Sequence, residues 1–266
     1  MKAKKSLGQH FLKSEKALKQ IVEAGNIQPT DLVLEIGPGH GVLTERLIPL
    51  ADKVIAIEKD RELIPVLEER FMDSVGKGKL EIVQADILKW DPESIHIYST
   101  SYKLIANIPY YITGAIIEQF LSAPFQPTTM VLLMQKEVAE RIVSRDGKES
   151  VLSIAVKAYG VPSIVGKVPP GAFNPPPTVD SAILCINSIT RNFFNDCDET
   201  LFFTLLKGIF GKKRKQLGGS LADILKNKEH ALALLNTLSI DPTTRPERLT
   251  LSQWKTITIE VQKIVH

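Results

Sequence analysis

Five apolar runs of strand length recur through the first half of the chain: DLVLEI (31–36), KVIAIE (53–58), LEIVQA (80–85), KLIANI (103–108) and MVLLMQ (130–135). Stretches with helical spacing separate them, among them VLTERLIPL, RELIPVLEERF and TGAIIEQFL. Strands apolar on both faces, alternating with helices, predict a parallel sheet covered on both sides. Right-handed crossovers make that sheet a doubly wound, Rossmann-like α/β fold, with ligands at the carboxyl ends of its strands. Upstream, SEKALKQIVEAGNI predicts a helix: Ser14 caps it, Leu18, Ile21 and Val22 share one face, and Gly25 ends it.

After residue 160 the texture changes. Five of the 16 prolines fall between 169 and 177, and the two strand-like runs around them predict a hairpin-like pair finishing the sheet. SITRNFFNDCDET reads as a linker. Helical patterns then follow in ETLFFTLLKGIF, SLADILKN, EHALALLNTL and TLSQWKTITIEVQKIV. The expected organisation is a ligand-binding domain over 1–190 and a small all-helical domain over 191–266.

Composition changes this picture little, because 44% hydrophobic and 24% charged residues are ordinary for a globular chain. No apolar run reaches membrane-spanning length. The N-terminal MKAKKSLGQHFLKSEK is basic but has no apolar core, so it does not read as a secretory signal. Cys185 and Cys197 lack metal-ligand spacing, which points to two reduced thiols, a cytoplasmic location and no metal site. Charge adds more. Residues 1–20 carry net +5, residues 21–190 net −6 and residues 191–266 net +4, within a total of +3. Basic ends around an acidic middle suit a polyanionic partner held by the ends, with chemistry between them.

The candidate chemistry lies at the predicted strand ends. Gly37, Gly39 and Gly41 follow the first run, where glycines allow a tight turn and close approach of a ligand to the backbone. Their spacing differs from the dinucleotide GxGxxG. Glu35 precedes the turn and can hold it or face a cationic cofactor. Glu58 closes the second run, 21 residues after Gly37, where a carboxylate accepts from both ribose hydroxyls. Asp86, beside Ile87, closes the third, where an acid can accept from an adenine amine. Three acids on consecutive strand ends outline a nucleoside pocket that fits NAD as well as S-adenosylmethionine.

The fourth run ends in NIPY (107–110), which separates the two cofactors. An exocyclic amine such as adenine N6 is a weak nucleophile, because its lone pair is delocalised into the ring. The Asn107 oxygen and a backbone carbonyl can accept its two hydrogens and hold the amine in line with a methyl donor. Pro109 keeps the backbone extended, and Tyr110 can stack on the base. Positioning and electrostatics then carry the rate, without a tuned general base.

In order along the chain, LGQHFL, LEIGPGHGVLT, IEKD, QADIL, NIPYYI, QKEVAERI, FNPPPTVDSA and RPERL resemble the motifs of the ribosomal RNA adenine N6,N6-dimethyltransferases. The resemblance runs from Leu7 to Trp254. It implies a class I S-adenosylmethionine-dependent methyltransferase fold with a helical C-terminal domain. It also implies dimethylation of two adjacent adenosines in the hairpin loop near the 3′ end of small-subunit rRNA, in ribosome biogenesis. By this resemblance His10 and Leu12 contact the cofactor, Gly37 packs on it, Glu58 holds the ribose and Asp86 the adenine. Asn107 stands between methyl donor and target amine, and Tyr110 and Phe173 sandwich a flipped base.

The basic run Lys212, Lys213, Arg214 and Lys215, with the lysines near the N-terminus, suits RNA phosphates. The target adenine must be looped out or flipped to enter such a pocket. Monomer is the default, since no motif calls for a second subunit. Three alternatives stand beside this reading. They are an antibiotic-resistance methyltransferase of large-subunit rRNA, a non-catalytic nucleic-acid-binding protein on the same fold, and an NAD-dependent oxidoreductase.

Overall fold

The computed structural model describes residues 8–90, 101–144, 147–212 and 215–265. The chain forms two compact units. Residues through Ala139 together with Gly160–Ile189 form the first; Glu140–Tyr159 together with Thr190 onward form the second.

The first unit opens with a two-residue strand β1 (Phe11–Leu12) and helix α1 (Glu15–Gly25). The Ser14 hydroxyl caps α1 by accepting from the Ala17 amide. Gly25 is still helical, and it is Asn26, at φ 42°, that turns the chain out. Asparagine tolerates the left-handed region because its short polar side chain bonds locally. Leu18 and Ile21 bury the inner face of the helix.

Next come β2 (Leu32–Ile36), α2 (Thr44–Leu47), β3 (Lys53–Glu58), α3 (Ile64–Arg70), α4 (Met72–Gly76) and β4 (Leu80–Gln84). They are followed by β5 (Tyr102–Asn107), α5 (Thr113–Ser122), β6 (Thr129–Gln135), α6 (Lys136–Ile142), α7 (Val151–Tyr159), β7 (Val161–Val168), β8 (Phe173–Asn174) and β9 (Ser181–Asn187). All five expected strands form, each within one residue of its apolar run. The helix expected across RELIPVLEERF forms as α3, and Phe71, the last residue of that run, ends it at a φ of −115° before α4 begins.

Seven strands make one sheet in the order β4-β3-β2-β5-β6-β9-β7. The first five are mutually parallel, and β9 runs antiparallel to both β6 and β7. The proline-rich segment therefore does lie between two paired strands that complete the sheet. The strand order reverses between β2 and β5: β3 and β4 extend one way, β5 and β6 the other. At such a switch point the following loops diverge and leave a crevice at the carboxyl ends. Val33, Leu34, Val54, Leu104, Leu132 and Ile183 are fully buried, as strands covered on both faces must be.

The second unit contains α7 and the helices α8 (Glu199–Phe210), α9 (Leu217–Leu225), α10 (Lys228–Thr237) and α11 (Leu251–Val265). Its core gathers Ile154, Phe202, Leu205, Leu206, Ile209, Leu235, Trp254 and Ile257. Asp198 caps α8 through the Leu201 amide, and Asn227 caps α10 through the His230 amide. Both cysteines are buried free thiols. Among the described residues no helix is long and apolar enough to cross a membrane, and no group of three metal-ligating side chains occurs.

Candidate active site

The parallel strands β4, β3, β2 and β5 are successive neighbours. Their carboxyl ends therefore present Asp86, Glu58, the glycine turn and Asn107 in a row. Three inter-strand spacings of about 4.8 Å give that row a length of about 14 Å. A cavity of about 150 Å³ opens along it. His10, Leu12, Glu35, Gly37, Gly39, Glu58, Asp86, Ile87, Asn107, Pro109 and Tyr110 all line it.

The glycine turn is built from left-handed residues. Gly37 at φ 69° donates its amide to the Ile57 carbonyl at 2.9 Å, tying the turn to β3. Gly41, at φ 80°, is not part of the lining; a Cβ there would stand 2.4 Å from the Phe71 ring. Its role is close packing of the turn on the α3–α4 junction.

Glu35 is buried at 1% exposure, and neither carboxyl oxygen has a hydrogen-bond partner. The Thr44 hydroxyl and amide face the carboxyl and offset part of its upward shift, though neither makes a hydrogen bond of normal geometry to it. Burial pushes the carboxyl up to about 8, and the charge of Glu58 adds to the shift. Burial therefore favours the protonated form of this carboxyl. Glu58 is likewise raised by burial. Its oxygens accept the Gly39 amide at 3.2 Å and the Asp60 amide at 2.8 Å, which aims the carboxylate along the cavity. Each oxygen keeps a second lone pair for a ligand hydroxyl. Asp86 is held below its ordinary value by the Lys59 ammonium, 2.9 Å away, and accepts the Leu88 amide at 3.2 Å.

A strap from the N-terminal segment crosses these strand ends. β1 pairs with β8, Leu12 opposite Phe173, and the Lys13 amide donates to the Ala172 carbonyl at 2.8 Å. Gln9 donates to Asp60 at 3.0 Å. The Phe11 ring packs on His40, centroids 4.4 Å apart. Asn107 donates its side-chain amide to the His10 carbonyl at 3.1 Å, so Oδ1 is the atom the side chain can offer to a substrate. The Tyr110 hydroxyl pairs with Ser181 Oγ at 2.7 Å, and burial raises its pKa.

Phe173 is placed differently from the expectation. Its ring is 2% exposed in the core beside Leu12, Leu18 and Ile183, and it does not line the cavity. Pairing with β1 turns the side chain inward, so it faces no base in this conformation. Lys212 and Lys215 both pair with Asp223, at 2.5 and 2.7 Å, and together they hold that carboxyl down at about 2. Lys213, Arg214 and the first seven residues lie outside the described residues. Sequence reasoning did not single out Gln9, Phe11, His40, Lys59, Tyr111 or Ser181. Each of them stands within one of the motifs that carry the family resemblance, LGQHFL, LEIGPGHGVLT, IEKD, NIPYYI and FNPPPTVDSA.

A doubly wound sheet with one antiparallel strand inserted near its edge, a glycine turn at the switch point and acids at the ends of the next two strands on one side, β3 and β4, defines a class I methyltransferase. The profile of the family described as ribosomal RNA adenine dimethylase matches residues 1–263, and the chain belongs to that family. Ribosomal RNA small subunit methyltransferase A of Dehalococcoides mccartyi is 45% identical over 261 residues, 98% of this chain and 89% of that protein. The protein of the same name from Alkaliphilus metalliredigens is 39% identical over 97% of this chain and 91% of its own length. Among solved structures, a dimethyladenosine transferase from Plasmodium falciparum superposes with a TM-score of 0.82 at 30% identity, covering 96% of this chain and 98% of that one. The 23S rRNA methyltransferase ErmE superposes with a TM-score of 0.76 at 25% identity, over 95% and 99% of the two chains. The protein is thus an rRNA adenine methyltransferase, and it requires a methyl donor.

Proposed function

We propose that the chain uses S-adenosylmethionine to dimethylate N6 of two adjacent adenosines near the 3′ end of small-subunit rRNA. The observation that carries this reading is the row of Asp86, Glu58, glycine turn and Asn107 along one cavity. The donor set fits the cofactor. Asp86 suits an adenine amine and Glu58 a pair of ribose hydroxyls. Glu35, whose buried carboxyl is shifted upward, lies within the same lining. Bound there, the cofactor supplies an electrophilic methyl group on a sulfonium.

The chain's own residues do the rest. Asn107 Oδ1 accepts one N6 hydrogen and fixes the amine in line with the methyl group. Tyr110 stacks on the base, its ring held by Ser181. Gly37 lets the backbone approach the cofactor, and Leu12 and Ile87 supply apolar walls. With the cofactor held by Asp86 and Glu58, N6 so oriented would take up the methyl group that the sulfonium supplies. The methylated ammonium then loses its proton to water, so the next transfer can follow. Lys212 and Lys215, with Lys213 and Arg214 of the same run, position the RNA through its phosphates.

Identity of 45% to a small-subunit enzyme, against 25% to the large-subunit enzyme ErmE, favours the small subunit. Titration calorimetry tests the cofactor assignment. Saturable heat with S-adenosylmethionine and none with NAD is expected; binding of NAD alone would overturn it.

A further inference from the structure

The cavity carries the carboxyl groups of Glu35, Glu58 and Asp86, as suits a cationic sulfonium, yet a cation also stands in its wall. Among the described residues Lys59 is the only lysine or arginine of that lining. It follows Glu58, the last residue of β3, and its ammonium lies 2.9 Å from Asp86 Oδ2 beyond the neighbouring strand β4. Asp86 Oδ1 accepts the Leu88 amide at 3.2 Å. One donor therefore sits on each carboxylate oxygen, and each oxygen keeps a lone pair. The terminal torsion of an aspartate is broad when nothing restrains it. Donors on both oxygens fix the plane of the carboxylate.

The backbone of this segment is held separately. The Ala85 amide donates to the Glu58 carbonyl at 3.0 Å, and the Lys89 amide to the Asp86 carbonyl at 2.8 Å. Gln119 of α5 donates to the Ile87 carbonyl at 2.9 Å. Lys59 thus governs the direction of the Asp86 side chain, not the course of the chain. Its own side chain is half exposed, so replacing it opens no core cavity. The row from Asp86 to Asn107 is about 14 Å long. Methyl transfer takes place at the Asn107 end, so Lys59 stands where its charge opposes the sulfonium least.

We propose that Lys59 is a positioning residue for the cofactor: by pinning Asp86 it aims a free carboxylate lone pair at the adenine amine, and so sets how much of the affinity that amine contributes. This rests on the reading of the cavity as the S-adenosylmethionine site. Lys59 acts through Asp86 and needs no contact with the base.

A thermodynamic cycle on the full chain, followed by titration calorimetry, tests this. The ligands are S-adenosylhomocysteine and its desamino analogue, in which purine replaces adenine; neither carries a methyl group to transfer. The proteins are wild type, Lys59→Met and Lys59→Arg. Methionine keeps an unbranched stem without the ammonium, and arginine keeps the charge. In the wild type, removing the amine should weaken binding about tenfold, as befits one hydrogen bond to a charged acceptor. In Lys59→Met the adenosyl ligand should bind about tenfold more weakly while the analogue hardly changes, so the ratio between the two falls toward one. Lys59→Arg should restore most of that ratio. Equal weakening of both ligands in Lys59→Met would make Lys59 a plain wall of the cavity and overturn the proposal. So would a ratio that stays or grows in Lys59→Met, a Lys59→Arg no better than Lys59→Met, or a wild type indifferent to the amine. A wild-type protein that binds neither S-adenosylhomocysteine nor S-adenosylmethionine would overturn the underlying reading of the cavity instead.

Discussion

Replacing Glu35 by Gln tests the electrostatics of the cavity floor. The wild-type carboxyl is 1% exposed with both oxygens unpartnered, and burial raises it from 4.5 to about 8. In the unfolded chain the same group ionises near its ordinary value. Between those two values the folded protein keeps a proton that the unfolded chain has lost. Stability from this group is therefore complete below about pH 4.5 and is lost as pH rises to about 8. A span of about 3.5 pH units at about 1.4 kcal/mol per unit sets an upper limit of roughly 5 kcal/mol. That is large against a typical domain stability of about 5–15 kcal/mol. Glutamine has the same shape and does not ionise.

The assay is urea unfolding of wild type and Glu35→Gln from pH 5 to 8.5 at constant salt. The wild type should lose stability relative to the variant across this range, with a slope approaching one proton. A cationic ligand in the cavity favours the ionised carboxylate. Saturating S-adenosylmethionine should therefore flatten the slope, and its affinity for the wild type should rise toward pH 8. A stability difference independent of pH would refute the reasoning, because it would mean that Glu35 is ionised throughout.

Asn107→Ala should reduce methyl transfer by a factor of about 100 or more while leaving cofactor affinity within a few-fold, since the interaction lost is one with the reacting amine. Retained turnover in single-turnover kinetics would remove Asn107 from the chemistry. Gly41→Ala places a Cβ 2.4 Å from the Phe71 ring at φ 80° and should cost about 2–4 kcal/mol of unfolding free energy; an unchanged thermal midpoint would contradict the packing. Asp223→Asn releases Lys212 and Lys215 from their shared carboxylate. It should tighten RNA binding and steepen its salt dependence by up to about two counterions. An unchanged salt slope would mean that these lysines meet no phosphate.

Much of this arrangement was legible because the parallel strands are apolar from end to end. Where such a run stops on Glu58 or Asn107, the polar residue marks the carboxyl edge of the sheet, and the edge is where ligands sit. The C-terminal helices were legible from their spacing; ETLFFTLLKGIF coincides with α8. The strap was less accessible. β1 is two residues long and pairs with β8 across more than 160 positions of sequence, which no local pattern encodes. That same pairing decides the fate of Phe173, turning an aromatic within a motif into a core residue. Likewise Asp223, eight residues beyond Lys215, is paired with the basic run only because α9 folds it back.

The central claim is transfer of methyl groups to adjacent adenosines of small-subunit rRNA. Its most direct measurement supplies radiolabelled S-adenosylmethionine with unmethylated small ribosomal subunits and unmethylated large-subunit RNA in parallel, followed by digestion to nucleosides. The account predicts labelled N6,N6-dimethyladenosine from the small subunit and none from the large. Label confined to large-subunit RNA, or absent from both while the cofactor still binds, would contradict it.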